Sequence, residues 1–355
     1  MERDADTGTE LQEAVRAAAA HGSPLHIRGG GTKDFYGRRT NGHTLDVGRH
    51  RGILAYEPTE LVLTARAGTP LADIETALAG KNQMLGFEPP SFGPSATLGG
   101  TIACGLSGPR RPWTGSARDF VLGATILNGR GERLRFGGQV MKNVAGFDVS
   151  RLMAGALGTL GVLLEVSLKV LPRPETEQTL ALVMSPNRAI SAMNEWGRQP
   201  LPLSAAAHAG DTLYIRISGA DSAVRAARAR IGGEPVAQGA DFWRELNEQR
   251  RQFFAGETPL WRLSLPPATP PMALPGKWLI DWGGAQRWLM ADVPAADVRR
   301  AATDAGGQAT LFRGGDRAGE VFPPLPPALA ALHRRVKQSF DPAGILNPGR
   351  LYPDL

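Results

Sequence analysis

Apolar residues recur at helical spacing near the start of the chain. Leu11, Val15 and Ala18 share one face of a helix predicted over residues 9–21, with Thr9 and Gln12 placed as a capping box and Gly22 as its stop. The period then falls to two: Leu25 and Ile27 alternate with His26 and Arg28 in a short strand that runs directly into Gly29-Gly30-Gly31-Thr32. Further strands are predicted over residues 44–47 and 61–67. The second passes through Gly68 into a helix capped by Thr69, with Pro70 as its first residue and Leu71, Ile74 and Leu78 as its apolar face. Residues 120–127 and 133–136 flank Asn128-Gly129-Arg130-Gly131, which supplies the positive φ angles of a tight hairpin. A short helix from Asp148 carries Leu152 and Met153 and is broken by Gly155, Gly158 and Gly161. Val162, Leu164, Val166, Leu168 and Val170 then alternate as a strand, and Pro172 and Pro174 mark the expected domain boundary.

Beyond that boundary the pattern is strand 177–184, helix 188–196, strands 203–208 and 212–218, helix 222–231 and a strand near 235–237, the order of a split βαβ, ferredoxin-like module. Strands 260–265, 277–282 and 287–292, helix 295–305 and strand 309–312 read as a second copy. The proline-rich run 266–275 stands where its first helix belongs, so duplication and an irregular extension both stay open. A last helix over 329–338 leads into Phe340-Asp-Pro-Ala-Gly-Ile-Leu-Asn-Pro-Gly-Arg350, an irregular tail that needs a docking surface to be ordered, expected on the first domain. The chain therefore divides as 1–174, 175–325 and 326–355.

Composition narrows the classes. A chain of 355 residues with 42% hydrophobic and 21% charged residues builds more than one core and is neither disordered nor fibrous. The net charge of +6 is spread along the sequence, which fits a solvated basic surface better than a nucleic-acid site. The single cysteine, Cys104, excludes an internal disulfide and a cysteine-ligated zinc or iron-sulfur centre. The polar, acidic start and the absence of an apolar run of about 18 residues point to the cytoplasm.

Glycine is where chemistry enters. Four glycine-rich segments, at Gly29, Gly93 to Gly108, Gly146 and Gly155 to Gly161, lie in the first domain beside strands or short helices. Such clustering lets several backbones approach one bulky ligand, and a pyrophosphate asks for N–H donors with no side chain in the way. No amphipathic helix follows Gly29-Gly30-Gly31, so a Rossmann fingerprint is excluded, and no Gly-Lys-Ser or Gly-Lys-Thr provides a Walker loop.

His26-Ile-Arg-Gly-Gly-Gly-Thr32, Gly93-Pro-Ser-Ala-Thr-Leu-Gly-Gly100, Arg118-Asp-Phe-Val-Leu-Gly123, Lys142-Asn-Val-Ala-Gly-Phe-Asp148 and Gly158-Thr-Leu-Gly-Val162 resemble, in order and spacing, the FAD-domain motifs of the vanillyl-alcohol oxidase and D-lactate dehydrogenase type flavoproteins. The closing segment 340–350 resembles that family's C-terminal segment. The resemblance implies an α+β fold: a two-part FAD-binding domain of the vanillyl-alcohol oxidase type with a smaller α+β cap domain of ferredoxin-like βαββαβ pattern. It also implies that Arg28, Gly29, Gly30, Gly31, Thr32 and Lys33 wrap the pyrophosphate, with Pro94, Ser95, Ala96, Thr97, Gly99 and Gly100 as a second wall extended by Gly105, Ser107 and Gly108. Asn143, Gly146, Gly158, Gly161 and Val162 would lie near the flavin ring or its ribityl chain. Thr32 stands where members with covalent flavin often carry His, which implies non-covalent FAD, and Leu157 replaces the Glu of a Glu-Gly-Thr-Leu-Gly motif.

The hydroxy-acid dehydrogenases of this family share a His-x-Gly-Asp-Gly-Asn-x-His motif. This chain offers His208-Ala-Gly-Asp-Thr-Leu-Tyr214, either a degenerate remnant or an ordinary Gly-Asp hairpin turn at Asp211. His21, His26, His43 and His50 crowd the first domain while His208 and His333 stand alone, so spacing nominates no catalytic residue and no metal site. Gly146-Phe-Asp-Val-Ser-Arg-Leu152, Ala154-Gly-Ala-Leu-Gly158 and the compact second domain most resemble the smaller FAD-binding subunits of bacterial glycolate oxidases. That resemblance implies oxidation of a small 2-hydroxy acid, glycolate to glyoxylate, beside a second FAD-containing catalytic subunit and an iron-sulfur subunit. It implies no nucleic acid and no integral membrane segment, with peripheral association at the inner face of the membrane through the complex. A self-sufficient D-lactate-like dehydrogenase and a non-catalytic assembly subunit are the alternatives. Trp261, Trp278, Trp282 and Trp288 alternate in strands and suit a core, with a partner interface as the other reading.

Overall fold

The computed structural model describes residues 4–138 and 148–355. The chain forms two compact units, the first drawn from Met1–Leu106, Ser116–Pro172 and Arg317–Leu355, the second from Ser107–Gly115 and Arg173–Asp316. The first unit contains α1 (Gly8–His21), β1 (Leu25–Arg28), β2 (His43–Asp46), β3 (Ile53–Glu57), β4 (Val62–Arg66), α2 (Leu71–Ala79), β5 (Gln83–Met84) and α3 (Leu98–Cys104). After α4 (Arg111–Thr114), which belongs to the second unit, it resumes with α5 (Ala117–Phe120), β6 (Val121–Leu127), β7 (Arg133–Gly137), α6 (Val149–Leu152), β8 (Val162–Lys169) and β9 (Leu171–Pro172).

Helix α1 buries Leu11, Val15 and Ala18, as its periodicity predicts, but the capping box does not form. Thr9 already lies inside the helix, Thr7 takes the N-cap position, and Gln12 Nε2 donates to the Gly131 carbonyl at 2.7 Å instead. Likewise Pro70, not Thr69, precedes α2; the Thr69 hydroxyl is engaged by the Gly52 amide at 2.9 Å. The main sheet has the order β3-β4-β8-β6-β7 and is antiparallel throughout. β6 is buried at every residue and β8 at six of eight, so both are covered on two faces. β3 escaped the pattern because Ile53 and Leu54 face solvent. β1 and β2 make a separate parallel pair.

The second unit carries β10 (Thr176–Val183), α7 (Pro186–Gly197), β11 (Leu203–Ala209), β12 (Thr212–Gly219), α8 (Asp221–Ile231), β13 (Glu234–Pro235), α9 (Gly239–Asn247), β14 (Leu260–Ser264), β15 (Lys277–Asp281), β16 (Gln286–Met290), α10 (Ala295–Asp304) and β17 (Gln308–Arg313). Its eight strands run β13-β10-β12-β11-β15-β16-β14-β17. Each half has the ferredoxin-like order, fourth-first-third-second, and the halves meet edge to edge where β11 pairs antiparallel with β15. The unit is thus a duplicated module whose second copy replaces its first helix by the proline-rich run. That run is pinned by Trp278 Nε1 on the Leu274 carbonyl at 3.1 Å and by Arg287 on the Thr269 carbonyl at 2.7 Å. Trp261 and Trp288 are buried, in keeping with the core reading. Helix α9, which carries buried Phe242, Trp243 and Leu246, was not anticipated.

The last helix, α11 (Pro327–Phe340), belongs to the first unit, and the tail after it docks there beside β1. Leu346 bridges Leu25 in parallel, the Leu25 amide donates to the Ile345 carbonyl at 2.7 Å, and the Asn347 amide donates to the Leu25 carbonyl at 3.0 Å. Lys337 anchors the turn: its Nζ donates to Thr159 O, Asp341 Oδ2 and Leu346 O at 2.9, 2.8 and 2.8 Å. Asp341 in turn accepts from the Ile345 and Leu346 amides at 3.1 and 2.7 Å, so this buried ion pair is closed by hydrogen bonds.

Candidate cofactor site

The first unit holds a half-open cavity at the end of β1. Its walls are the end of β1 with residues 26–34; Thr97, Gly99, Gly100, Ala103 and Cys104 of the α3 segment; residues 153–163 in part; and Asn347 and Arg350 of the tail. Glycine is required where these walls meet. A Cβ on Gly30 would stand 1.5 Å from the Ser95 carbonyl oxygen, and one on Gly29 would stand 2.4 Å from Thr97 Oγ1. The Ser95 hydroxyl donates to the Gly30 carbonyl at 2.9 Å, and the Thr97 hydroxyl accepts from the Gly100 amide at 3.3 Å as the cap of α3. The two glycine segments are therefore in direct contact, bridged by the Ser95 hydroxyl. Gly31 adds a left-handed backbone, φ 71°.

The cavity is built for negative charge. Among the described residues, the amides of Gly29, Gly30 and Gly31 have no acceptor within the protein. Arg28 Nε pairs with Asp34 at 2.9 Å, and Lys33, buried, donates to the Ser91 carbonyl at 3.1 Å. Arg350 donates to the Asp34, Tyr36 and Arg38 carbonyls at 3.1, 2.6 and 3.0 Å, and among the described residues it forms no ion pair with a carboxylate. Desolvation lowers the Arg350 pKa from its usual range. His26 is pushed down by burial, opposed by Asp34, and stays neutral at pH 7. Three cations against one carboxylate leave a net +2, which matches the two charges of a pyrophosphate diester. Cys104 lines this cavity, and desolvation pushes its thiol up to about 11, so it is a neutral wall residue.

Of the residues nominated from sequence, Arg28, Gly29, Gly30, Gly31, Thr32, Lys33, Thr97, Gly99, Gly100, Gly158 and Gly161 line the cavity. Pro94, Ser95 and Ala96 are not among its lining residues; Ser95 braces Gly30 as described, and the Ala96 carbonyl accepts the Leu71 amide. Gly105 ends α3 with a left-handed backbone, and Val162 opens β8 in the core. Ser107 and Gly108 fall in the second unit, where the Gly108 carbonyl accepts Trp282 Nε1 at 3.0 Å. Asn143 and Gly146 lie outside the described residues. Asp34, Asn347 and Arg350 were not nominated; the Asn-Pro-Gly-Arg sequence of the tail was the available signal. His208 does not line the cavity: its Nε2 meets the Met184 carbonyl at 2.9 Å, and Gly210, φ 67°, forms with Asp211 the two-residue turn between β11 and β12. The hairpin-turn reading thus describes this segment. Among the described residues no group of three or more His, Cys, Asp or Glu is placed to hold a metal.

A family model for an FAD binding domain matches residues 4–137, and one for the C-terminal domain of FAD linked oxidases matches residues 317–351. The chain is 51% identical to the glycolate oxidase subunit GlcE of Escherichia coli over 355 residues, all of both chains. It is 33% identical over 173 residues to the glycolate oxidase subunit GlcD of Bacillus subtilis, covering 48% of this chain and 37% of that one. Among solved structures, p-cresol methylhydroxylase shares the fold with a TM-score of 0.70 at 14% identity, over 99% of this chain and 88% of that one. Alkyldihydroxyacetonephosphate synthase does so at 0.68 and 16%, over 99% and 76%. The fold is of the vanillyl-alcohol oxidase type, and the unclaimed glycine amides and the +2 balance fit FAD as the cofactor. The chain belongs to the GlcE family of FAD-linked glycolate oxidase subunits.

Proposed function

We propose that this chain is the FAD-binding subunit of a 2-hydroxy-acid oxidoreductase that converts glycolate to glyoxylate, working beside a second FAD-containing catalytic subunit and an iron-sulfur subunit. The observation that carries the proposal is the cavity of the first unit, with its close-approach glycines, unclaimed amides and net positive lining. Bound there, FAD supplies a two-electron acceptor for the hydride lost from the carbinol carbon of the hydroxy acid.

The chain's own residues bind and orient. The Gly29–Gly31 amides, with Arg28, Lys33 and Arg350, hold the phosphate charges; Thr32, Thr97, Gly99 and Gly100 complete that wall, braced by Pro94, Ser95, Ala96 and Gly105. Gly158, Gly161 and Val162 serve the flavin end, and Asn143 and Gly146 are assigned there from their motif. Thr32 has a hydroxyl where a histidine would be needed for a covalent link, so the cofactor is held non-covalently. Leu157 turns an apolar surface to the cavity and excludes water from it. His26 is the one imidazole among the lining residues, and burial disfavours its protonation. Among the described residues no helix is long and apolar enough to cross a membrane. We place the chain in the cytoplasm, at the inner membrane face only through its partners.

The test is an absorbance spectrum of the purified chain before and after acid precipitation, followed by glycolate added to the lone chain and to the co-expressed complex. The expected result is an acid-releasable flavin that bleaches only in the complex. Bleaching by the lone chain would establish a self-sufficient enzyme, and no flavin after gentle purification would leave an assembly subunit.

A further inference from the structure

We propose that Asn347 is a positioning residue that makes docking of the C-terminal tail and binding of FAD one coupled equilibrium; the proposal rests on FAD occupying the cavity described above. Asn347 is buried, at 4% exposure, yet lies on the cavity wall. Its Oδ1 accepts the Ile27 amide at 2.7 Å and its Nδ2 donates to the Leu157 carbonyl at 2.6 Å. Ile27 sits two residues before Gly29, and Leu157 directly precedes Gly158. One side chain thus sets the spacing between the glycine loop after β1 and the loop of residues 155–161.

One end of this bridge is held in a backbone conformation that the tail contact stabilises. Leu157 has φ 51°, a left-handed geometry disfavoured for a residue with a Cβ, and its carbonyl is the group that Asn347 holds. A Cβ on Gly158 would stand 2.7 Å from Asn347 Nδ2, so the amide packs directly on that peptide. Three residues on, Arg350 fixes residues 34–38 through the three carbonyls already named, on the far side of the glycine loop in sequence. Undocking the tail therefore frees the Ile27 amide, the Leu157 carbonyl and the Asp34, Tyr36 and Arg38 carbonyls together. A cofactor that binds only the docked arrangement must stabilise the tail by the same free energy that the tail contributes to the cofactor.

The experiment uses the full-length chain with and without FAD. Asn347→Gly removes both side-chain bonds while accepting the native φ of 42°, so backbone strain does not confuse the outcome. FAD titration followed by flavin fluorescence is expected to give a Kd raised at least about tenfold in the variant. In the wild type, hydrogen exchange of residues 345–351 is expected to slow at least about tenfold on adding FAD, a measurement that needs no variant and stands if Asn347→Gly does not fold. A folded variant that binds FAD within twofold of the wild type, or tail exchange indifferent to FAD, overturns the proposal. A structural role alone would lower the melting temperature of the FAD-free chain and leave both of those readouts unmoved. A wild-type chain that binds no FAD at all overturns the site reading itself, a result distinct from either.

Discussion

Buried charge is handled differently in the two units. In the second, Arg110 meets Glu177 at 2.6 Å and Arg216 lies 3.8 Å from the same carboxylate. Against desolvation, which pushes Glu177 up, Arg216 and Arg110 hold it below the ordinary carboxylate value. Arg287, fully buried, spends its donors on the Gly284 and Thr269 carbonyls, and burial brings it down to about 10. In the first unit Lys337 is likewise closed on Asp341, but the buried cations Lys33 and Arg350 sit on the wall of a cavity that also presents the amides of Gly29 to Gly31. Charge that closes on protein partners organises a core. Charge left beside unclaimed donors around open space is poised for a ligand, and this contrast supports the proposal that the cofactor binds in the first unit.

The sharpest way to break that contrast is a single methyl group. Gly30→Ala would push a Cβ to 1.5 Å from a backbone oxygen, so the glycine loop and the Ser95 segment must separate. FAD affinity is expected to fall at least about a hundredfold, or about 2.7 kcal/mol, measured by titration of the FAD-free chain. Gly197→Ala at the end of α7 is the counterpart in the second unit. Nothing lies within 4 Å of the new Cβ, so stability should stay within about 1 kcal/mol and FAD content should not change. Equal loss of flavin from both variants would show that the cavity has no special claim on glycine.

A second comparison sets a buried pair against an exposed one. Lys337→Met leaves Asp341 buried without its cation, and a loss of about 3–5 kcal/mol is expected in urea denaturation. Arg225→Ala breaks the pair with Asp221, whose side chains are 71% and 44% exposed, and should cost only about 0.3–0.5 kcal/mol. Comparable losses would mean that the tail is not held by its buried anchor.

Much of this architecture is visible in periodicity. Leu11, Val15 and Ala18, the alternation through β8 and the module order of the second unit all follow from side chains that repeat with the element's period. β3 was missed because Ile53 and Leu54 face solvent, whereas Phe242, Trp243 and Leu246 of α9 do recur at helical spacing and were legible. The cavity's glycines are legible because close approach removes side chains, a signal any sequence displays. Asn347 and Arg350 are harder to find. Their partners are backbone groups some 190 to 320 positions away, and a carbonyl or an amide leaves no mark on the residue type that carries it.

The smallest effect concerns acid. His50 is fully buried; its Nδ1 accepts the Thr7 amide at 3.1 Å, Asp6 Oδ1 lies 3.5 Å away, and Nε2 has no hydrogen-bond partner among the described residues. Desolvation lowers its pKa, with Arg66 and Arg133 acting in the same sense and Asp6 and Glu165 opposing. The folded state therefore prefers the neutral ring. Below about pH 6.5 the unfolded chain takes up the proton first, so stability falls with pH until folded His50 is also protonated. His26 shifts in the same direction and shares this limb, whereas Asp6, held below its ordinary value chiefly by the Gly8 amide, acts at lower pH. His50→Asn keeps an acceptor for Thr7 and cannot be protonated in this range. The difference in melting temperature between pH 7.5 and 5.5 should shrink in the variant without vanishing, because His26 remains. Parallel pH profiles for the two proteins would exclude His50 as a source of acid sensitivity and leave the cavity wall, through His26, as the place where the first unit responds to protons.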